Sequence, residues 1–281
     1  MRFKTNDGLS LAYQDDPGGP GAPLLCLAGL TRSGRDFDHF AAAMNGRRRL
    51  IRLDSRGRGA SDHDPDFSHY NGMVEAGDAV ALLDHLGVER AVVIGSSRGG
   101  VLAAVIAAKH PGRLAGVVLN DVGAEIEKDG IGKVVAALGV QPRAVTMAEA
   151  AAELEAWLGA AFPGAGRAFW FDWAERSYIS TESGLALAYD PRLRDATLAQ
   201  MEAVKPDGPG LWPLFDALGP IPTLILRAAN SDLLSAATVA EMRRRKPDLQ
   251  AAVIPDRGHI PRLDEPAALI AINSFLDSLD D

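Results

Sequence analysis

The stretch AVVIGSSRGGVLAAVIAAKH, residues 91–110, decides how the rest of the chain is read. It opens on a short apolar run, Ala91–Ile94, that suits one buried strand. It closes on an Ala-rich segment that reads as a helix running up to Pro111. Between them, Gly95-Ser96-Ser97-Arg98-Gly99 fits the pattern G-x-S-x-G. Gly and Ser are common, so the pentapeptide alone says little; its position between strand and helix says more. A sharp strand-to-helix turn presents the central hydroxyl, Ser97, above a sheet edge, and Gly95 and Gly99 let the turn close without Cβ clashes. The helix that follows aims its positive end at the same point. A phosphate loop would need G-x-x-x-x-G-K-[ST], and a dinucleotide loop G-x-G-x-x-G. Residues 95–100 have neither spacing.

Working outward from this unit, the chain alternates. Leu9–Gln14, Leu24–Ala28, Leu50–Leu53 and Leu114–Leu119 read as strands. Arg35–Met44 has helical spacing, and Tyr70–Leu86 reads as a helix stopped at Gly87. The rhythm resumes late, with strands at Thr223–Leu226 and Ala251–Ile254 and helices over Ala236–Arg245 and Pro266–Leu276. This pattern predicts the α/β class, a doubly wound, mostly parallel sheet covered by helices on both faces. From Val122 to Phe215 strand-like runs vanish. Thr146–Ala161 reads there as an amphipathic helix, capped by Thr146 with Glu149 three residues on. All four tryptophans, 157, 170, 173 and 212, fall in this stretch. The expected division is a core of residues 1–121 and 216–281 with a helical cap, 122–215, inserted near the middle.

A chain of 281 residues with 47% hydrophobic residues can bury a large core unaided. A net charge of −8 repels phosphate backbones and argues against a nucleic-acid partner. The basic runs Arg47–Arg49 and Arg243–Lys246 read as a solvated loop and a solvated helix end. The lone cysteine, Cys26, sits in an apolar run and reads as a small buried hydrophobe. The N-terminus has no apolar signal-peptide region and no run reaches membrane-spanning length, so no membrane partner and a cytoplasmic location are expected. Asp62-His63-Asp64-Pro65-Asp66 looks like metal ligands, but no second cluster completes a shell, and it reads as a solvated loop. No metal and no cofactor are expected.

A serine hydroxyl needs a base within hydrogen-bond reach, and a histidine base needs a carboxylate to fix its tautomer. On a sheet of this kind the chain order is serine, acid, histidine. Of the histidines at 39, 63, 69, 85, 110 and 259, only His110 and His259 follow Ser97. His110 closes the helix, far from its start. His259 lies on the loop after a late strand, at the edge where such sites gather. For the acid, Asp232 is favoured, because its loop adjoins the strand delivering His259. Asp121, just after the strand ending at Leu119, is the rival. Acyl transfer also needs two donors for an oxyanion. The backbone N–H groups of Arg98, after the serine, and Leu30, on the loop Leu27–Thr31, are the candidates.

Taken together, LAGLTRSGRDF, LDSRGRGASD, VIGSSRGG, LRAANSD and RGHIPRLDEP resemble the α/β-hydrolase superfamily over nearly the whole chain. The resemblance implies an esterase-like, cofactor-free hydrolase with a helical cap. It implies Ser97, Asp232 and His259 as triad, Leu30 and Arg98 as oxyanion donors, and LDSRGRGASD as a structural loop beside the site. The chain departs from the usual pattern twice. Ala28 stands where many members have His, and Arg98 where many have an apolar residue. Arg98 is expected to pair with a carboxylate, and the sharper alternative is that it binds a substrate carboxylate or carbonyl. Trp170 and Trp173 are possible contacts for an apolar acyl group, although cap core is the plainer reading of these aromatics. The expected reaction is hydrolysis of a small-molecule carboxylic ester through an acyl-enzyme. C–C, lactone or thioester cleavage on the same triad, and a non-catalytic ligand-binding protein of this fold, are the alternatives.

Overall fold

The computed structural model describes residues 1–203 and 208–280. The first strands are β1 (Arg2–Lys4), β2 (Ser10–Asp16) and β3 (Leu24–Leu27), followed by helix α1 (Asp38–Met44) and β4 (Leu50–Leu53). Helix α2 (Gly72–His85) starts on an Asn71 side chain that accepts the N–H groups of Met73 and Val74, and it stops before Gly87, whose φ is +64°. Strand β5 (Ala91–Ser96), helix α3 (Arg98–Lys109) and β6 (Leu114–Asn120) complete the first half. Between β6 and the next sheet strand lie helices α4 (Lys128–Ala137), α5 (Met147–Leu158) and α6 (Arg167–Ser177), strands β7 (Tyr178–Thr181) and β8 (Gly184–Leu187), and helices α7 (Leu193–Ala203) and α8 (Trp212–Asp216). The chain ends with β9 (Thr223–Ala228), α9 (Ala236–Arg245), β10 (Gln250–Ile254) and α10 (Pro266–Asp277).

Eight strands form one sheet in the order β1-β2-β4-β3-β5-β6-β9-β10. Only the β1–β2 and β2–β4 pairings are antiparallel; the others are parallel. The expected mostly parallel sheet is therefore present, and its parallel strands are apolar throughout because both faces are covered. One core layer packs Leu25, Val93 and Val117 against Leu83 and Ile106. The other packs Cys26, Ile94 and Val118 against Phe40 and Phe275. Cys26 is fully buried, and burial pushes its thiol well above the usual range, so it is inert. The chain runs from β3 to β4 on one side and then to β5 on the other side of β3. The crevice between the ends of β3 and β5 is thus a topological switch point, where ligands of open α/β sheets bind.

The segment between β6 and β9 has its own apolar cluster, in which Phe162, Trp170 and Ala174 pack with Ala150, Ala151 and Leu154. Its helix α5 carries the expected cap: the Thr146 hydroxyl accepts from the Glu149 N–H while the Glu149 carboxylate accepts from the Thr146 N–H. The expectation that strands vanish here is corrected. β7 and β8 pair antiparallel, from Tyr178↔Leu187 to Thr181↔Gly184. Both strands are four residues long and β7 is mostly exposed, so the hairpin carries little of the apolar alternation by which a strand is recognised. At the segment's end, Phe215 of α8 joins the first core layer.

Three surface readings also change. Arg48 is buried and pairs with Asp280, while Arg47 pairs with Asp277, so this basic run clasps the end of the chain. Lys246 is buried too, and its Nζ donates to the Gly219 carbonyl. Asp64 is not solvated: it faces the buried Arg56, which also holds Asp78 and Asp7. Asp7, Asp64 and His69 do bring ligand atoms together, but the Arg56 guanidinium already supplies their cation. Among the described residues no helix is long and apolar enough to cross a membrane.

Candidate active site

The turn after β5 is built as the glycine pattern requires. Ser97 has φ +51° and ψ −118°, a backbone region that costs energy unless its surroundings impose it. A Cβ on Gly99 would lie 1.9 Å from the Leu27 carbonyl oxygen, and one on Gly95 would lie 2.5 Å from Gly100. The elbow is therefore pressed directly against the end of β3. The Ser97 N–H donates to the Asn120 carbonyl at 3.0 Å, which ties it to β6 as well.

The hydroxyl, the imidazole and a carboxylate form one line. Ser97 Oγ lies 3.0 Å from His259 Nε2, and His259 Nδ1 lies 2.8 Å from Asp121 Oδ2. Asp121, not Asp232, is the carboxylate that meets His259. Asp121 is fully buried, directly after β6 and with φ +52°. Its Oδ1 accepts the Ala228 N–H at 2.8 Å, and its Oδ2 also accepts the Ser231 hydroxyl at 2.7 Å. Asp232 instead faces the insert, where it accepts from Lys133 Nζ at 2.7 Å, and both side chains are largely exposed. The end of β9 and the loop after it contribute Ala228 and Ser231 to hold this carboxylate rather than the carboxylate itself. Adjacency to β10 favoured Asp232; adjacency to β5 was the stronger criterion, since β6 pairs directly with the strand carrying the serine.

Asn120 is a residue the sequence reading missed. It is fully buried at the end of β6, and its Nδ2 donates to Ser96 Oγ at 3.0 Å and to the Pro261 carbonyl at 2.9 Å. It thereby ties the serine turn to the loop carrying His259. A polar Asn-Asp pair closing an apolar strand was the available signal.

The two expected oxyanion donors belong to the loop after β3 and to the start of α3. The Gly29-Leu30-Thr31 loop after β3 and Ser97 line one cavity. The Arg98 N–H belongs to the first turn of α3, where backbone donors have no partner within the helix. Ala28 offers the β3 loop no side-chain support, and Arg58 supplies it instead. Its Nε donates to the Leu30 carbonyl at 2.8 Å, and its Nη1 reaches Glu75 at 3.0 Å. Glu75 is 1% exposed and also accepts from Arg98 Nη2 at 2.8 Å and Nε at 3.1 Å. Burial pushes the Glu75 carboxyl up, but the Arg58 and Arg98 guanidiniums outweigh this and hold it below the usual carboxylate range. This settles the side chain of Arg98: it is paired inside the protein and is absent from the cavity wall, so the substrate-binding alternative is corrected. The expectation that LDSRGRGASD is a structural loop beside the site matches this placement of Arg58.

The cavity has a volume of about 260 Å³ and lies between the sheet edge and the insert. Val134, Leu154, Leu158, Trp173 and Leu187 form much of its insert wall. Trp173 lines it, as expected of a contact for an apolar group. Trp170 does not: it is 1% exposed within the insert's own core, edge-on to Phe162. The plainer reading holds for Trp170.

A family model described as the alpha/beta hydrolase fold matches residues 22–266. The chain belongs to the α/β-hydrolase family. This α/β hydrolase is 34% identical over 279 residues to the 3-hydroxybutyrate-oligomer hydrolase of Cupriavidus necator, covering 94% of this chain and 92% of that one. It is 28% identical over 263 residues to the 2-(acetamidomethylene)succinate hydrolase of Mesorhizobium japonicum, covering 92% and 90%. Among solved structures, an alpha/beta hydrolase from Novosphingobium aromaticivorans superposes with a TM-score of 0.89 at 37% identity, covering 99% and 97%. The hydrolase homologues make this α/β hydrolase an enzyme acting on a small molecule.

Proposed function

We propose that this hydrolase cleaves a small carboxylic ester through an acyl-enzyme formed on Ser97. The observation that carries the reading is the continuous line from Ser97 Oγ through His259 to Asp121, opening into an apolar-walled cavity. Ser97 Oγ bonds to the ester carbonyl carbon while His259 Nε2 takes the hydroxyl proton. The N–H groups of Leu30 and Arg98 receive the oxyanion, aided by the positive end of α3. The tetrahedral intermediate collapses, and His259 returns the proton to the departing alcohol. A water molecule then repeats the sequence at the acyl carbonyl and releases the acid. Asp121 keeps the His259 Nδ1 protonated and faces the imidazolium as it forms. The insert acts as the cap that closes over the ester.

The cavity volume supports a short acyl group, since it falls below the roughly 300–1,000 Å³ of drug-sized sites. The likeness to a 3-hydroxybutyrate-oligomer hydrolase supports short hydroxyacyl esters as the first class to try. A 4-nitrophenyl ester chain-length series with wild type and Ser97→Ala tests the reading. The expected result is a maximum at short acyl chains, loss of turnover in Ser97→Ala, and fluorophosphonate labelling confined to Ser97. Activity on no ester, or equal activity in Ser97→Ala, refutes it.

A further inference from the structure

The cations of the cavity wall are not equally well hydrogen-bonded. Among the described residues four cationic side chains line it: Arg32, Lys133, Arg176 and Arg262. Three have a carboxylate of their own. Arg32 makes a two-pronged contact with Asp36, at 2.7 and 2.8 Å. Arg176 does the same with Asp172, at 3.0 and 2.8 Å. Lys133 holds Asp232.

Arg262 has none. Its nearest carboxylate oxygens are on Asp172, 3.4 Å from Nη1, and on Asp264, 3.7 Å from Nη2. Asp172 is shared, because it also takes both prongs of Arg176 and faces His39 Nε2 at 3.1 Å. The Nε of Arg262 is buried with no hydrogen-bond partner. Its guanidinium carbon stands 5.1 Å from the centre of the Phe169 ring, which holds the group in place without satisfying its N–H donors. An arginine in a cavity wall whose side chain makes no hydrogen bond offers its fork to a planar anion, and a carboxylate fits that fork. Arg262 follows His259 by three residues on the same loop, so it faces the cavity that contains the reacting serine.

We propose that Arg262 is the subsite for a carboxylate carried by the substrate. The preferred ester is then anionic: a short acyl chain that ends in a free carboxyl group, or a hydroxyacyl ester with one. This rests on the Ser97 reading above and adds the class of substrate to it. The sequence reading placed such a role on Arg98. The structure moves it from a cation bound by Glu75 to the cation of this wall whose side chain makes no hydrogen bond to a described residue.

Two esters of the same acyl chain test the idea: mono-4-nitrophenyl glutarate and its neutral methyl ester. Wild type is expected to favour the anionic ester in kcat/KM by about ten- to a hundredfold, the range for a hydrogen bond to a charged group. The preference is carried in KM and weakens as sodium chloride is added. In Arg262→Gln the ratio falls to near one, and Arg262→Lys keeps part of it. The neutral ester, measured on the same preparation, divides out any general loss of active protein. Arg243→Gln, at an exposed arginine outside the cavity, serves as a comparison and leaves the ratio in place. A wild-type ratio of one or less overturns the proposal whatever the variants do, and so does a ratio unmoved in Arg262→Gln. If wild type turns over neither ester and Ser97 takes no fluorophosphonate, it is the hydrolytic reading that fails instead.

Discussion

Replacing Asp121 by Asn separates the two candidate acids with a single measurement. The side chains have the same shape, and Asn tolerates a φ of +52° well, so the fold is retained. The amide, however, has one oxygen where the carboxylate has two. The Ala228 N–H is fixed in the backbone and points at Oδ1, so the amide oxygen must take that position. The amide nitrogen then faces His259 Nδ1 and, as a donor, forces that nitrogen to become the acceptor. The proton moves to Nε2, which points at Ser97 Oγ and no longer accepts the hydroxyl proton. Where a triad acid is turned into its amide in this way, kcat falls by about 10⁴-fold. That corresponds to about 5 kcal/mol of transition-state stabilisation. Asp232→Asn is expected to change kcat less than about fivefold, because an exposed pair such as Asp232–Lys133 contributes only about 0–1 kcal/mol. The assay is 4-nitrophenyl acetate hydrolysis under saturating substrate, with urea unfolding to confirm that both variants are folded. An Asp121→Asn enzyme within tenfold of wild type, with Asp232→Asn inactive, would refute the assignment.

Two other outcomes are expected. Glu75→Gln leaves Arg58 and Arg98 buried beside a neutral group, and breaking a buried pair this way costs about 3–5 kcal/mol in urea unfolding; a loss below about 1 kcal/mol would show that the bridge is not needed. At Asp172, burial pushes the carboxyl up, but hydrogen bonds from Arg176 and His39 and the charge of Arg262 outweigh it and bring it down to about 2. A carboxylate lowered on folding stabilises the protein above its unfolded value and loses that contribution as pH falls through the folded one. The difference in urea midpoint between wild type and Asp172→Asn is therefore constant above about pH 5 and shrinks between about pH 4 and 2; a difference that persists at pH 2 would contradict the pairing.

The alternation around residues 91–110 was enough for the sheet, because parallel strands buried on both faces are written as apolar runs. Ser97 and His259 were legible for local reasons: the first needs glycines around it, and the second follows the serine in the chain, on the loop after a late strand. The acid was not legible, because Asp121 and Asp232 both follow strands on that edge. The choice depends on which side chain points inward and which meets a lysine from the insert. The β7–β8 hairpin escaped because two four-residue strands, one of them mostly exposed, leave too little apolar alternation to read. Trp170 and Trp173 look alike in the sequence, and only the packing of α6 decides that one is core and the other faces the cavity.

The placement of Asp121 has a consequence for engineering. Serine and acid stand at the ends of β5 and β6, paired in register from Val92↔Gly116 to Ser96↔Asn120, so two members of the relay are encoded within residues 91–121, before the chain enters the insert. Only His259 returns from the far side, and Asn120 grips its loop through the Pro261 carbonyl. The insert's share of the cavity wall is thus written in a different passage of the gene from Ser97, Asp121 and His259. A library confined to residues 124–215 would vary that share of the wall while leaving all three in place.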